Sequence, residues 1–195
     1  MRTTCLTAAL LIAISVLAQN GTPPILQSHN RVDGPVGGQS RAEDLQVFSN
    51  GRVLYVEETT TSLGQQPTHA SHEALMAADE MQRLVGLLNS PGVRALSKKI
   101  PSKTRPIDFF WQASFEINRP GGEQRIHVEN FYPFLNLAGH TYPQALIDLE
   151  CTVQGIQVKA ARRQQSGDED SWCKDLATRS SRITDVRGTN IHNRT

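Results

Sequence analysis

The stretch Phe109 to Asn118 constrains the fold most. Phe109, Trp111, Ala113, Phe115 and Ile117 alternate strictly with Phe110, Gln112, Ser114, Glu116 and Asn118. A period of two puts the first set on one face of a strand and leaves the other face mostly wet, the pattern of an antiparallel sheet covered on one side. Pro120-Gly121-Gly122 supplies a turn, and Ile126 and Val128 return on a partner strand.

A second hairpin is written upstream. Leu45 to Phe48 and Val53 to Val56 flank Ser49-Asn50-Gly51-Arg52, and Asn-Gly predicts a two-residue turn. That turn pairs Val47 with Leu54 and Leu45 with Val56. It makes those four the core side and turns Phe48, Val53 and Tyr55 away from it. Residues 57–72 read as a polar loop. Met81, Leu84, Val85 and Leu88 then recur at helical spacing, with Asp79 and Glu80 in the first turn. Ser90-Pro91 starts another helical turn, anchored by Val93 and Leu96. Lys98 to Pro106 reads as a connection. Pro143 opens a closing helix with Leu146, Leu149, Val153 and Ile156 on its apolar stripe. The expected fold class is therefore α+β: an antiparallel sheet built from two β-hairpins, with two main helices packed on one face.

The flanks differ in composition. Residues 1–18 read as a cleavable signal peptide, with Arg2 as its charge, Leu6 to Leu17 as its apolar run, and Val16 and Ala18 before a cut at Gln19. The apolar run falls short of the ~20 residues that span a bilayer. Residues 19–40, rich in proline, glycine and polar side chains, read as a flexible linker with one short strand near His29 to Asp33. A single α+β domain is assigned to residues 41–160, and residues 161–195 to a polar, disordered tail. The expected location is secreted or periplasmic.

Removing Arg2 brings the 20 basic residues level with the 19 acidic ones. That balance speaks against a nucleic-acid footprint and against a polybasic membrane patch. Of three cysteines, Cys5 leaves with the leader. The pair that stays, Cys151 and Cys173, points to a disulfide in an oxidising compartment; a buried free Cys151 with a solvated Cys173 is the alternative.

Motifs for catalysis are missing from the sequence. There is no G-x-S-x-G elbow, phosphate-binding glycine loop, dinucleotide fingerprint or C-x-x-C pair. Three clusters carry chemically capable side chains. His69-Ala70-Ser71-His72-Glu73 holds metal-ligand types, and a helix would bring His69 and Glu73 to one face; a solvated loop or frayed helix start is the preferred reading, since the signal is so short. Glu116 and Glu129 lie on neighbouring strands and face each other in one register, as paired carboxylates would. Asp168, Glu169 and Asp170 form a charge run in the tail. His127 falls on the wet face of its strand. Phe110 and Phe131 fall off the main apolar face, either as an exposed binding patch or under a second layer. Asn20-Gly21-Thr22 and Asn193-Arg194-Thr195 match the glycosylation acceptor pattern.

Taken in order, Asp33-Gly34-Pro35-Val36-Gly37-Gly38, a hairpin with an Asn-Gly turn, a helix ending Leu87-Leu88-Asn89-Ser90-Pro91, an alternating hairpin and a closing helix resemble small exported bacterial domains of unknown role. The order is also similar to the emfourin-type inhibitors of thermolysin-like metalloproteases, over roughly Val32 to Ile156. Pro35 and Val36 depart from the Gly-Gly-aromatic-Ala-Gly form of those inhibitors, so no functional residue carries over. The resemblance implies an exported, non-enzymatic binding or inhibitory protein with an extracytoplasmic partner such as a metalloprotease. No cofactor, metal or catalytic residue is expected. The alternatives are an exported metal-dependent enzyme using His69, His72 and Glu73, and a structural component of the cell envelope.

Overall fold

A computed structural model describes residues 22–34, 40–61, 66–101, 110–131, 142–162 and 173. Seven strands form one sheet: β1 Leu26–Asp33, β2 Ser40–Val47, β3 Arg52–Thr60, β4 Thr68–Leu75, β5 Lys99–Ile100, β6 Phe110–Arg119 and β7 Gly122–Glu129. The helices are α1 Ala78–Asn89, α2 Pro91–Arg94 and α3 Gln144–Ala160. Strand order is β4-β3-β2-β1-β6-β7-β5. Every pairing is antiparallel except β5 with β7.

The expectation of two hairpins carrying two main helices is thus overturned. The sheet has seven strands and is mixed, with one main helix, α3, and shorter ones. The extra strands were hidden for separate reasons. The short strand expected near His29 to Asp33 runs from Leu26 and lies fourth of seven, at the sheet's centre. Part of the stretch read as a loop is the end of β3 and most of β4. β5 sits inside the connection expected from Lys98 and is only two residues long.

The hairpin register also shifts. Gly51 N–H donates to Phe48 O at 2.9 Å, and Phe48 N–H donates to Arg52 O at 2.9 Å. Gly51, at φ +83°, takes the left-handed position of a three-residue loop, and Asn50 is not among the residues with positive φ. One extra loop residue moves every side chain of β3 to the opposite face. Val47 pairs with Val53 and Leu45 with Tyr55. Val53 and Tyr55 are buried with them, while Val56 stands on the other face.

Most of the remaining core expectations hold; Val85 is the exception, 40% exposed on α1, and Phe109 lies outside the described residues. Ala113, Phe115, Ile117, Ile126 and Val128 are buried, as are Leu84, Leu88, Val93, Leu96, Leu146, Leu149, Val153 and Ile156. They form one core between the helices and a single face of the sheet. Ser90 caps α2, its Oγ accepting from Val93 N–H at 3.3 Å, with Pro91 in the first turn. Phe131 is fully buried, edge-on to both Trp111 and Tyr142. It is core and no part of an exposed patch; the side chain of Phe110 lies outside the described residues.

Two side chains of the β6–β7 hairpin fasten the α1–α2 corner. Arg119 Nε donates to Leu88 O at 3.0 Å, and Gln124 Nε2 donates to Val93 O at 2.9 Å. Leu88 O is one of the carbonyls that a helix end leaves without an intrahelical partner, and Val93 O also accepts from Leu96 N–H at 3.2 Å. Arg119→Ala removes a charge-assisted bond and its packing, so it should cost about 2 kcal/mol. A thermal melt should fall by roughly 4–8 °C.

Candidate functional site

Because the described helices cover one face, no described element lies over the other, and its alternate residues are mostly polar. Cross-strand register assembles a row on that face: Val56 on β3, Asp44 on β2, His29 on β1, Ser114 on β6 and His127 on β7. With Glu116 and Arg125 they line a shallow depression. His127 is on the wet face, as its strand pattern predicts.

His29 Nδ1 and Asp44 Oδ1 are 2.8 Å apart. Arg125 lies against Glu116 at 3.4 Å and also against Glu123, and Gln27 Nε2 donates to Glu116 at 3.1 Å. Asp44, His29 and Ser114 follow one another in the order of an acyl-transfer triad. A working triad needs the hydroxyl on the imidazole. Here Ser114 Oγ instead donates to the His29 main-chain carbonyl, at 3.4 Å. The hydroxyl is turned down onto the strand, so the row presents fixed hydrogen-bonding groups and no activated nucleophile.

The two carboxylates of the β6–β7 hairpin do not meet. Glu116 pairs with Arg125 and Glu129 with Gln112, four residues further along the ladder, or about 13 Å at strand rise. Glu129 instead faces Lys99 at 2.8 Å, which holds its carboxyl below the usual range.

The histidine cluster is dispersed by the same period of two. β4 is a strand, so His69, Ser71 and Glu73 project to the open face while Ala70 and His72 project to the helix side. His72 stacks on Tyr55 with ring centroids 5.8 Å apart, and His69 Nδ1 lies 3.5 Å from Glu58. Among the described residues no group of three or more His, Cys, Asp or Glu side chains is placed to hold a metal ion.

A polar cluster that the sequence reading passed over lies inside the core. Glu150 on α3 is fully buried, and its Oε1 accepts from Asn30 Nδ2 on β1 and from Gln154 Nε2, each at 3.0 Å. Its Oε2, along with Asn30 Oδ1, Ser28 Oγ and Gln157 Nε2, has no hydrogen-bond partner among the described residues. Glu43 on β2 accepts from Tyr55 on β3 at 2.6 Å and pairs with Arg41, which also meets Glu57. Loss of solvent raises the Glu150 carboxyl to about 7; the Glu43 charge pushes the same way, and the bonds from Gln154 and Asn30 oppose it. Helical spacing gave a usable sign: Glu150 and Gln157 fall on the same stripe as Leu146, Val153 and Ala160.

Cys151 and Cys173 form a disulfide, with Cα atoms 5.7 Å apart. The bond ties α3 to a residue 22 positions downstream. Ala18 and Gln19, the carboxylates at 168–170 and positions 35–38 of the glycine segment lie outside the described residues. No described helix is long and apolar enough to cross a membrane. No protein-family model matches the chain, and no curated protein matches it significantly.

Proposed function

We propose that the protein is an exported, non-enzymatic binding module that docks a protein partner on the open face of its sheet. The supporting observation is the row Asp44, His29, Ser114 and His127. It lies on a broad face that no described element covers, held by the His29–Asp44 contact and ladder register. Pre-set polar groups on a rigid sheet suit recognition, since little order is lost on binding. The Cys151–Cys173 disulfide suits a secreted or periplasmic location. The partner class is the one the emfourin-like order of elements implies, a thermolysin-like metalloprotease.

Purified protein is then expected to suppress a thermolysin-like enzyme at a one-to-one dose. Ser114→Arg, which stands a long cation in the middle of the row, should weaken that suppression at least about tenfold, a hot-spot-sized loss. Its melting temperature should stay at the wild-type value. No suppression by the intact protein removes the inhibitory reading. Unchanged suppression by the variant moves the contact off this face.

A further inference from the structure

We infer that β4 pairs with β4 of a second copy of this chain, antiparallel, about a two-fold axis through Ser71. A sheet edge presents a row of unpaired backbone N–H and C=O groups, and proteins blunt such edges with short strands, lysine, proline or bulges. β5 follows that rule with two residues. β4 does not: among the described residues it ends the sheet, runs for eight residues, contains no lysine or proline, and keeps an unbroken register with β3.

The sequence of β4 selects the partner. Directly opposite residues in an antiparallel pair share a face, so a two-fold continuation must match residues of the same parity. The axis therefore passes through a residue. Through Ser71 it sets His69 opposite Glu73 of the second copy, Ala70 opposite His72 and Thr68 opposite Ala74. An axis through Ala70 leaves Glu73 beyond the paired strand, and one through His72 opposes the two His72 rings. Only the Ser71 axis matches opposite polarity.

The side chains are in place for this. His69 and Glu73 are 61% and 63% exposed on the open face. Each has an inboard partner on β3: Glu58 lies 3.5 Å from His69 Nδ1, and Arg52 lies 3.8 Å from Glu73. Across the junction the order becomes Glu58, His69, Glu73, Arg52, repeated by symmetry. Cross-strand pairs of this kind are the unit of sheet stabilisation. On the helix side, exposed Ala70 leaves room for the His72 ring of the other copy. The axis stands normal to the sheet, so the two open faces join into one surface twice as wide. This pairing does not depend on what that surface binds.

Sedimentation of the intact protein from about 1 µM to about 1 mM, the range of weak association, should show a monomer–dimer equilibrium. A single monomeric species throughout overturns the inference. Mild oxidation of Ser71→Cys should give a reducible covalent dimer linked at position 71. His69→Cys alone should not, because its two copies would lie about 13 Å apart along the strands. Equal cross-linking of both variants overturns the register. His69→Glu should weaken dimerisation about tenfold by opposing like charges in two symmetric pairs. Undiminished dimerisation of this variant rejects the proposed pairing.

Discussion

Glu150→Gln is expected to stabilise the protein at pH 8 and to flatten its stability between about pH 4.5 and pH 7. The carboxyl titrates near the ordinary glutamate value when the chain is unfolded and is raised to about 7 in the fold, because burial penalises its charge. Between those values the folded state holds a proton that the unfolded state releases. Stability is therefore greatest at the acid end of this window and falls as pH rises through it, by about 3 kcal/mol in all. Two half-buried carboxyls act in the opposite sense: Lys159 holds Glu80 low and Lys99 holds Glu129 low, and what they contribute is lost only as the pH falls below the window. The glutamine amide has the shape of the neutral acid. Its oxygen accepts from Asn30 and Gln154 as before, and its NH₂ takes the place of Oε2, which accepts no hydrogen bond among the described residues. Denaturant unfolding at pH 5 and pH 8 is the measurement. Wild type should be markedly weaker at pH 8, and the variant nearly level, with its melt raised by roughly 6–12 °C at pH 8. A variant as steep as wild type would show that Glu150 carries no such penalty.

The features legible in the sequence are those fixed by local pattern. β6 alternates through a full strand, α3 keeps its apolar stripe, and Ser90-Pro91 starts a turn by local capping. What the sequence hid depends on partners far along the chain. β4 is polar because it is an edge strand with little of its surface in the core. β5 is a strand only because β7 lies beside it. β1 reads as linker because its buried positions include Ser28 and Asn30, polar residues where a central strand usually carries aliphatics. Those residues make sense only opposite α3, which carries Glu150 more than a hundred positions away. The open-face row has the same origin: His29 meets Asp44 and Ser114 through register, which neither the spacing nor the composition encodes. The one-residue error in the first hairpin shows how sharp that limit is, since the choice between a two- and a three-residue loop decides which face every β3 side chain joins.

Removal of β1 should be the most damaging change to the fold. A chain beginning at Gly34 lacks the strand that joins β4-β3-β2 to β6-β7-β5, and it leaves the inner edges of β2 and β6 unpaired. Each half keeps three strands and only part of the core, too little apolar burial to offset the entropy of ordering it. The expected product has no cooperative melt and associates through its exposed edges. A point change separates this from a simple effect of length. Leu26 is fully buried and paired with Val47 on one side and Ile117 on the other. Leu26→Asp places an unpaired carboxylate there and should cost more than about 4 kcal/mol, enough to unfold most domains of this size. Arg31→Ala, on the same strand but exposed on the open face, should stay within about 0.5 kcal/mol of wild type. Circular dichroism melts of the three variants measure all of this. A folded chain from Gly34, or equal effects of the two point changes, would return residues 26–33 to the status of a linker.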